Sequence, residues 1–180
     1  MRFFAILYAM KQSYPDAWPQ FLTATIANWK PLFKEDGYKD IIIDSLQHLV
    51  ASSKINLYGF VIMSNHIHLI WQALPDYELK KLQTSFLKFT ASKFLAKLES
   101  ENRLWEYAVD YADRDHHFWK RDSLAIELFS PAAFHQKLNY IHYNPVRAGI
   151  CSLPEDYHYS SAYFYEKGID PFHMLSHYSG

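Results

Sequence analysis

The sequence predicts an α+β fold, in which helices sandwich a mostly antiparallel sheet. Apolar segments of strand and helix length follow one another in the order strand, helix, hairpin, helix, strand, helix. The two strands of the hairpin are separated by a short turn, which can join antiparallel strands but is too short to join parallel ones. With 5 glycines in 180 residues, the chain also lacks the glycine-rich crossovers of a parallel α/β protein.

The first half of the chain contains three predicted strands and one helix. The side chains of residues 21–27 follow an approximate alternation and include β-branched residues, which is typical of a strand. Residues 35–51 repeat apolar side chains at helical spacing. Residues 57–63 and 66–72 are apolar strands that flank a turn at Ser64-Asn65, so we expect them to form the hairpin.

The second half contains two predicted helices and a strand region between them. Residues 79–98 form a helix whose apolar stripe should face the core. The stripe consists of Leu82, Phe86, Phe89, Phe94 and Leu98. Strands are expected around 116–121 and 125–128. Ser130-Pro131 then predicts a capped helix start, with the helix running to about Arg147 and stopping at Gly149, unless Pro145 ends it earlier.

Composition restricts the class of protein. The chain is 49% hydrophobic, which excludes wholesale disorder. The 18 basic and 19 acidic residues give a net charge of -1, so composition alone argues against a nucleic-acid binder. The lone Cys151 excludes an internal disulfide and favours a reducing, cytoplasmic location. The apolar run at residues 3–10 is too short to span a membrane, and no membrane partner is expected.

Two histidines form the first candidate site. His66 and His68 are two apart in a predicted strand, so their side chains should project side by side from one face. Two imidazoles at that spacing can share a divalent metal. The alternative is that both are simply polar residues on the solvent face of a half-buried strand.

A tyrosine and an asparagine form the second candidate site. Tyr140 and Asn144 are four apart in a predicted helix and should lie on one face. An activated phenol can act as a nucleophile, and an amide oxygen suits Mg²⁺ or Mn²⁺. The alternative is a core tyrosine in a chain with 14 tyrosines, followed by a residue that prepares the helix end.

A third feature is a set of cations interleaved with aromatic residues. Such a face can track a phosphate backbone while exposed rings stack on unpaired bases, although lysines on an amphipathic helix are more often only its solvated side. The set comprises Lys80, Lys81, Lys88, Lys93 and Lys97 on the second helix, and Arg121 beside the third strand region.

The motifs taken together resemble the REP-associated tyrosine transposases, a branch of the single-tyrosine HUH transposases. The stretches that carry the resemblance are NWKPLFKEDGYKDIIIDSL at 28–46, VIMSNHIHLI at 61–70, FWKRDS at 118–123, KLNYIHYNPVRAGI at 137–150 and PEDYHYSSAYFYE at 154–166. The resemblance implies the ferredoxin-like HUH nuclease fold. It also implies a transposase domain at 21–166, between a lead segment at 1–20 and a tail at 167–180.

The resemblance also implies roles for single residues. His66 and His68 correspond to the HUH pair, Tyr140 to the nucleophile and Asn144 to a third metal-ligating position. The implied reaction is cleavage and rejoining of single-stranded or hairpin DNA through a 5′-phosphotyrosine, with Mg²⁺ or Mn²⁺ as cofactor. The implied assembly is a monomer or a homodimer.

Two other functions stay open from the sequence. The chain could be a catalytically idle DNA-binding module of the same fold, or an unrelated metal hydrolase that uses some of the 10 histidines, including His116 and His117. DNA binding predicts that the six cations lie on the side of the sheet that holds His66 and His68. An even scatter of charge would argue against it.

Overall fold

A computed structural model describes residues 18–107, 118–121 and 123–179. Its centre is a 4-stranded sheet in the order β2-β3-β1-β4. The strands are β1 (Gln20–Thr25), β2 (Ile55–Ile62), β3 (His66–Ala73) and β4 (Leu124–Glu127), and every neighbouring pair is antiparallel. The predicted fold class is therefore confirmed.

Five α-helices are present in the described part of the chain. They are α1 (Asp36–Ala51), α2 (Leu79–Ser100), α3 (Pro131–His142), α4 (Asn144–Arg147) and α5 (Ala162–Lys167). The predicted strand at 116–121 is only partly described, and there Trp119 forms an isolated bridge to Ile26. None of the described helices is long and apolar enough to cross a membrane.

Helices cover both faces of the sheet, and strand alternation decides which side chains they meet. Leu22, Ile67 and Leu69 belong to the core under α1 and α2. Phe21 and Ile70, one residue out of phase, belong to a second core under α3. We call these the α1/α2 face and the α3 face.

The predicted stripe of α2 is wrong at one position. Phe86, Phe94 and Leu98 are buried and Leu82 packs partly against the core, but Phe89 is half exposed. Thr90 takes its place in the interior, where its Oγ1 accepts a hydrogen bond from the indole of Trp119 at 3.0 Å. A buried indole N–H needs an acceptor, so at this point a hydroxyl is preferred to a ring.

The C-terminal residues complete the β2 edge and brace α3. Leu57 bridges to Leu175, and Ile62 N donates to Tyr159 O at 3.0 Å. The ring of Tyr178 stacks on Phe134 of α3 with centroids 4.2 Å apart. The segment that follows residue 166 thus packs along the outer strand of the sheet rather than over the histidines.

Candidate active site

His66 and His68 lie side by side on the α3 face, as their spacing in β3 predicts. Ile67 between them points into the opposite core. Their ring centroids are 4.9 Å apart, His68 is buried and His66 is half buried. The two imidazoles therefore meet on one surface of a central strand.

Each imidazole is oriented through its Nδ1 atom. His66 Nδ1 lies 2.7 Å from Asn65 Oδ1, and since that carbonyl only accepts, the ring donates. His68 Nδ1 lies 2.8 Å from Thr23 Oγ1, a contact that exists because Thr23 pairs directly with His68 across β1 and β3. Such partners fix the Nε2 atom as the free coordinating atom of a histidine.

His68 Nε2 is buried and has no hydrogen-bond partner among the described residues. Burial lowers the pKa of both histidines, and that of His68 falls to about 3, with smaller contributions from His66 and Lys137. Both rings are therefore neutral near pH 7, which is the form that binds a metal.

Helix α3 brings Tyr140 against this pair. Ser130 caps the helix by accepting from Ala133 N at 3.1 Å, and Pro131 occupies its first turn, as predicted. Leu138 and Ile141 are buried toward the sheet, while the Tyr140 ring is 39% exposed. Its centroid lies 5.4 Å from that of His68.

Asn144 follows after a break in the helix. The predicted continuous helix to about Arg147 is divided, because α3 ends at His142 and Asn144 begins the separate turn α4. Pro145 has no N–H to continue the ladder, and Gly149 adopts a positive φ of 69° after α4. Asn144 Nδ2 is buried without a hydrogen-bond partner in the part of the chain that is described.

Two cations that the sequence reasoning did not assign surround the phenol. Lys137 Nζ lies 5.6 Å from the Tyr140 ring centroid and 4.8 Å from that of Phe21. Arg147 Cζ lies 5.7 Å from the Tyr140 centroid. Neither cation forms an ion pair with a carboxylate of the described ranges. Their spacings of three and seven residues from Tyr140 are the signal that could have identified them.

The five lysines of α2 do not lie on the side of the sheet that holds His66 and His68, so the expectation that they do is wrong. Helix α2 buries Phe86 and Phe94 against the α1/α2 face, on the other side of the sheet. The lysines concerned are Lys80, Lys81, Lys88, Lys93 and Lys97. Two of them form ion pairs on their own surface, Lys81 with Glu78 at 2.8 Å and Lys97 with Glu101 at 2.9 Å. Amphipathic spacing predicts that these lysines point away from the core, but it does not predict on which side of the sheet the helix packs.

Other candidates lie apart from this cluster. Arg121 is exposed and follows Lys120 in the chain. The backbone N–H of Lys120 donates to Thr25 O at 2.8 Å, and Thr25 of β1 pairs with His66 of β3. His142 is buried against Ser161 Oγ at 2.8 Å, away from the Tyr140 face. His116 and His117 lie outside the described residues. Within the described ranges, no group of three or more His, Cys, Asp or Glu side chains could hold a metal.

Comparisons with known proteins give the chain's family and its fold. Residues 22–143 match the sequence family described as IS200-like transposases. A solved REP-associated tyrosine transposase bound to a REP hairpin is similar with a TM-score of 0.63 and 13% identity, over 94% of this chain and 92% of that one. A protein of Deinococcus radiodurans described as a transposase gives a TM-score of 0.46 and 14% identity, over 73% of this chain and 95% of the other. No curated protein matches.

Proposed function

Because this chain belongs to the IS200-like transposase family, we propose that it cleaves and rejoins single-stranded DNA with Tyr140 as the nucleophile. Membership of the family makes it a DNA-processing transposase, and its fold is that of a REP-associated tyrosine transposase. The observation that carries the finer proposal is the packing of the Tyr140 ring against His68, with Lys137 and Arg147 around the phenol.

The proposed chemistry is a transesterification at phosphorus. Tyr140 Oη attacks the scissile phosphorus, the bond to the 3′ oxygen breaks, and the strand is left with a 5′-phosphotyrosine and a free 3′-hydroxyl. The phenolic proton leaves to solvent and the 3′ oxygen takes up one proton, so the step is balanced. A hydroxyl can reverse it, because the phosphodiester energy is retained in the tyrosine ester, and no nucleotide is needed.

Lys137 and Arg147 serve this step electrostatically. A phenolate and a phosphodiester both carry negative charge close to these cations, and no described carboxylate pairs with either cation. Cations fixed before the reaction stabilise charge that develops in the transition state.

The residues fit a divalent metal, Mg²⁺ or Mn²⁺. His68 Nε2 is a buried nitrogen without a partner in the described chain, His66 has its Nδ1 occupied by Asn65, and the Asn144 amide is half buried in α4. Two imidazoles and an amide oxygen would hold the ion. When bound, it would polarise the phosphate oxygens and add positive charge.

We further propose a monomeric active site that acts on hairpin-containing DNA in the cytoplasm. Tyr140 and His68 are in contact within one chain, so a monomer is sufficient, and a homodimer would carry two independent sites.

The domain would comprise 21–166, with 1–20 leading into it. Of the six cations predicted to bind DNA, Arg121 lies near the C-terminal end of β1, next to Lys120, whose N–H donates to Thr25 O. The lysines of α2 would serve strands that pass to the far face.

The test is formation of a covalent adduct. The parent chain, Tyr140→Phe and Tyr143→Phe are incubated with labelled hairpin-containing single strands and Mg²⁺ or Mn²⁺. Tyr143 is the matched control, because it is an exposed tyrosine three residues away. We expect an adduct with the parent and with Tyr143→Phe but not with Tyr140→Phe.

Other outcomes would reassign the function. Binding by the parent without an adduct would indicate the idle DNA-binding module. Cleavage that persists in Tyr140→Phe would refute the tyrosine mechanism and favour a histidine-based hydrolase.

A further inference from the structure

Trp29 is an exposed tryptophan in a strained turn. It ends the short 3-10 turn Ala27–Trp29 that follows β1, and its side chain is 58% exposed. Asn28 and Trp29 both have positive φ, 56° and 57°. Asparagine tolerates this conformation, but for a bulky side chain it is disfavoured and persists only where the surroundings hold it.

Hydrogen bonds on both sides of the turn hold it in place. Trp29 N donates to Ile26 O at 3.0 Å, and Asn65 Nδ2 donates to Trp29 O at 3.2 Å. Lys30 reaches across to the backbone oxygen of Glu106. The strain is not offset by burial of the indole, because the ring stays in solvent. Strain that is kept at an exposed side chain favours a role in binding.

The turn is tied directly to the candidate active site. The Asn65 amide that holds Trp29 O also accepts from His66 Nδ1, at 2.7 Å. One side chain therefore positions both the backbone of the tryptophan and an imidazole of the HUH pair. The backbone of the turn that carries Trp29 consequently lies beside the His66 end of β3.

The surroundings of the indole are cationic rather than apolar. Lys120 Nζ lies over one face of the Trp29 ring, 4.6 Å from its centroid, so a ligand would stack on the opposite face. Lys34 is exposed on the following turn. Neither lysine forms an ion pair with a carboxylate in the described part of the chain. A single aromatic face among lysines is the pattern of a single-strand nucleic-acid site, whereas a protein interface would present a continuous apolar patch.

We infer that Trp29 is a stacking platform for an unpaired nucleobase of the DNA strand that enters the Tyr140 site, with Lys120 adding charge for the adjoining backbone. This inference rests on the proposed function, because it takes the DNA strand as the ligand. Stacking tolerates any base, since every base has a π face, so Trp29 would contribute affinity without sequence preference.

The test separates base binding from backbone binding. Dissociation constants of the full chain are measured by fluorescence anisotropy for a short oligothymidylate and for an abasic strand of equal length. The variants are Trp29→Leu, which removes the π face but keeps apolar volume, and Trp29→Phe, which keeps a smaller ring. Trp105→Leu is the control, because Trp105 is 76% exposed and its neighbour Glu106 is the residue that Lys30 contacts.

The parent should bind oligothymidylate about 5- to 150-fold more tightly than the abasic strand, the range expected for one stacked base. Trp29→Leu should lose most of this preference, Trp29→Phe part of it and Trp105→Leu none. Affinity for the abasic strand should be unchanged in Trp29→Leu, which also verifies that the variant is folded.

A preference in Trp29→Leu equal to that of the parent would overturn the inference, as would equal affinity of the parent for both strands. Failure of the proposed function is seen separately, as the absence of a covalent adduct from the parent chain. An adduct with an unchanged base preference refutes only the stacking platform. A lost preference without any adduct refutes only the tyrosine chemistry.

Discussion

Replacing Gly59 with alanine should show how tightly the helix that carries Tyr140 is seated. Gly59 lies in β2 beneath α3, and a Cβ there would stand 2.8 Å from Leu138 Cδ1 and 3.1 Å from Ile141 Cδ1. Leu138 and Ile141 are buried on either side of Tyr140. An added methyl group therefore pushes on the helix at the level of Tyr140.

The sign of the change in the free energy of unfolding shows whether α3 packs tightly against β2 or leaves room for a methyl group. A glycine-to-alanine change that fits its site stabilises a protein by about 0.4–1 kcal/mol, because the unfolded chain loses freedom. Overpacking a core costs about 1–3 kcal/mol. At Gly59 the second effect should win, leaving a net loss of about 1–2 kcal/mol and a Tm lower by roughly 2–8 °C for a chain of this size.

Gly37 provides the matched control. It lies in the first turn of α1, where a Cβ would meet only the flexible end of Lys97, at 3.2 Å. Gly37→Ala should therefore stabilise the chain by about 0.5–1 kcal/mol. Thermal or urea unfolding of the two variants should give opposite signs.

A double substitution tests the cause. Leu138→Ala alone should cost about 2–5 kcal/mol, and less in the Gly59→Ala background, because the added methyl group occupies part of the space that is released. The rate of adduct formation should fall more in Gly59→Ala than in Gly37→Ala. A Gly59→Ala variant that melts above the parent, or costs that are strictly additive, would refute the tight contact between β2 and α3.

Three further predictions concern the site and its support. Thr23→Val removes the hydroxyl that orients His68, so metal affinity or activity should fall by about 10- to 100-fold at unchanged Tm. An unchanged metal titration would show that Thr23 does not orient His68. Lys137→Met should reduce the slope of log affinity against log salt for single-stranded DNA by roughly 0.7, and an identical slope would show that the ammonium does not meet a phosphate. Burial lowers the pKa of His142 to about 4, so between pH 6.5 and about 4 only the unfolded chain takes up a proton, and stability should fall by up to about 3 kcal/mol. His142→Gln should remove that part of the acid loss in urea unfolding followed against pH, and a variant with the same pH dependence as the parent would argue against a neutral buried His142.

The elements of the fold were predictable because each has its own local signal. The helix at 35–51 and the hairpin around Ser64-Asn65 agree closely with α1 and with β2 and β3. Periodicity was misleading at Phe89, because hydrophobicity ranks a phenylalanine above a threonine. The buried indole of Trp119 needed an acceptor, and Thr90 supplies it. That requirement comes from a residue 29 positions away.

The sequence singles out the residues of the candidate site but not the side chains that surround them. The spacings of the two histidines, and of Tyr140 and Asn144, are local patterns. Thr23 depends instead on strand register, because it meets His68 only through the pairing of β1 with β3. The side on which the α2 lysines lie depends on how that helix docks, which spacing along the helix does not encode.

The braces of α3 have a consequence for the order of synthesis. Ser161, which contacts His142, and Tyr178, which stacks on Phe134, are both translated after the helix they support. A chain interrupted just beyond Gly149 would carry both histidines and the tyrosine but neither brace. Tyr140 should therefore reach its fixed position only after these residues leave the ribosome, so the proposed active site is completed well after its own residues have been synthesised.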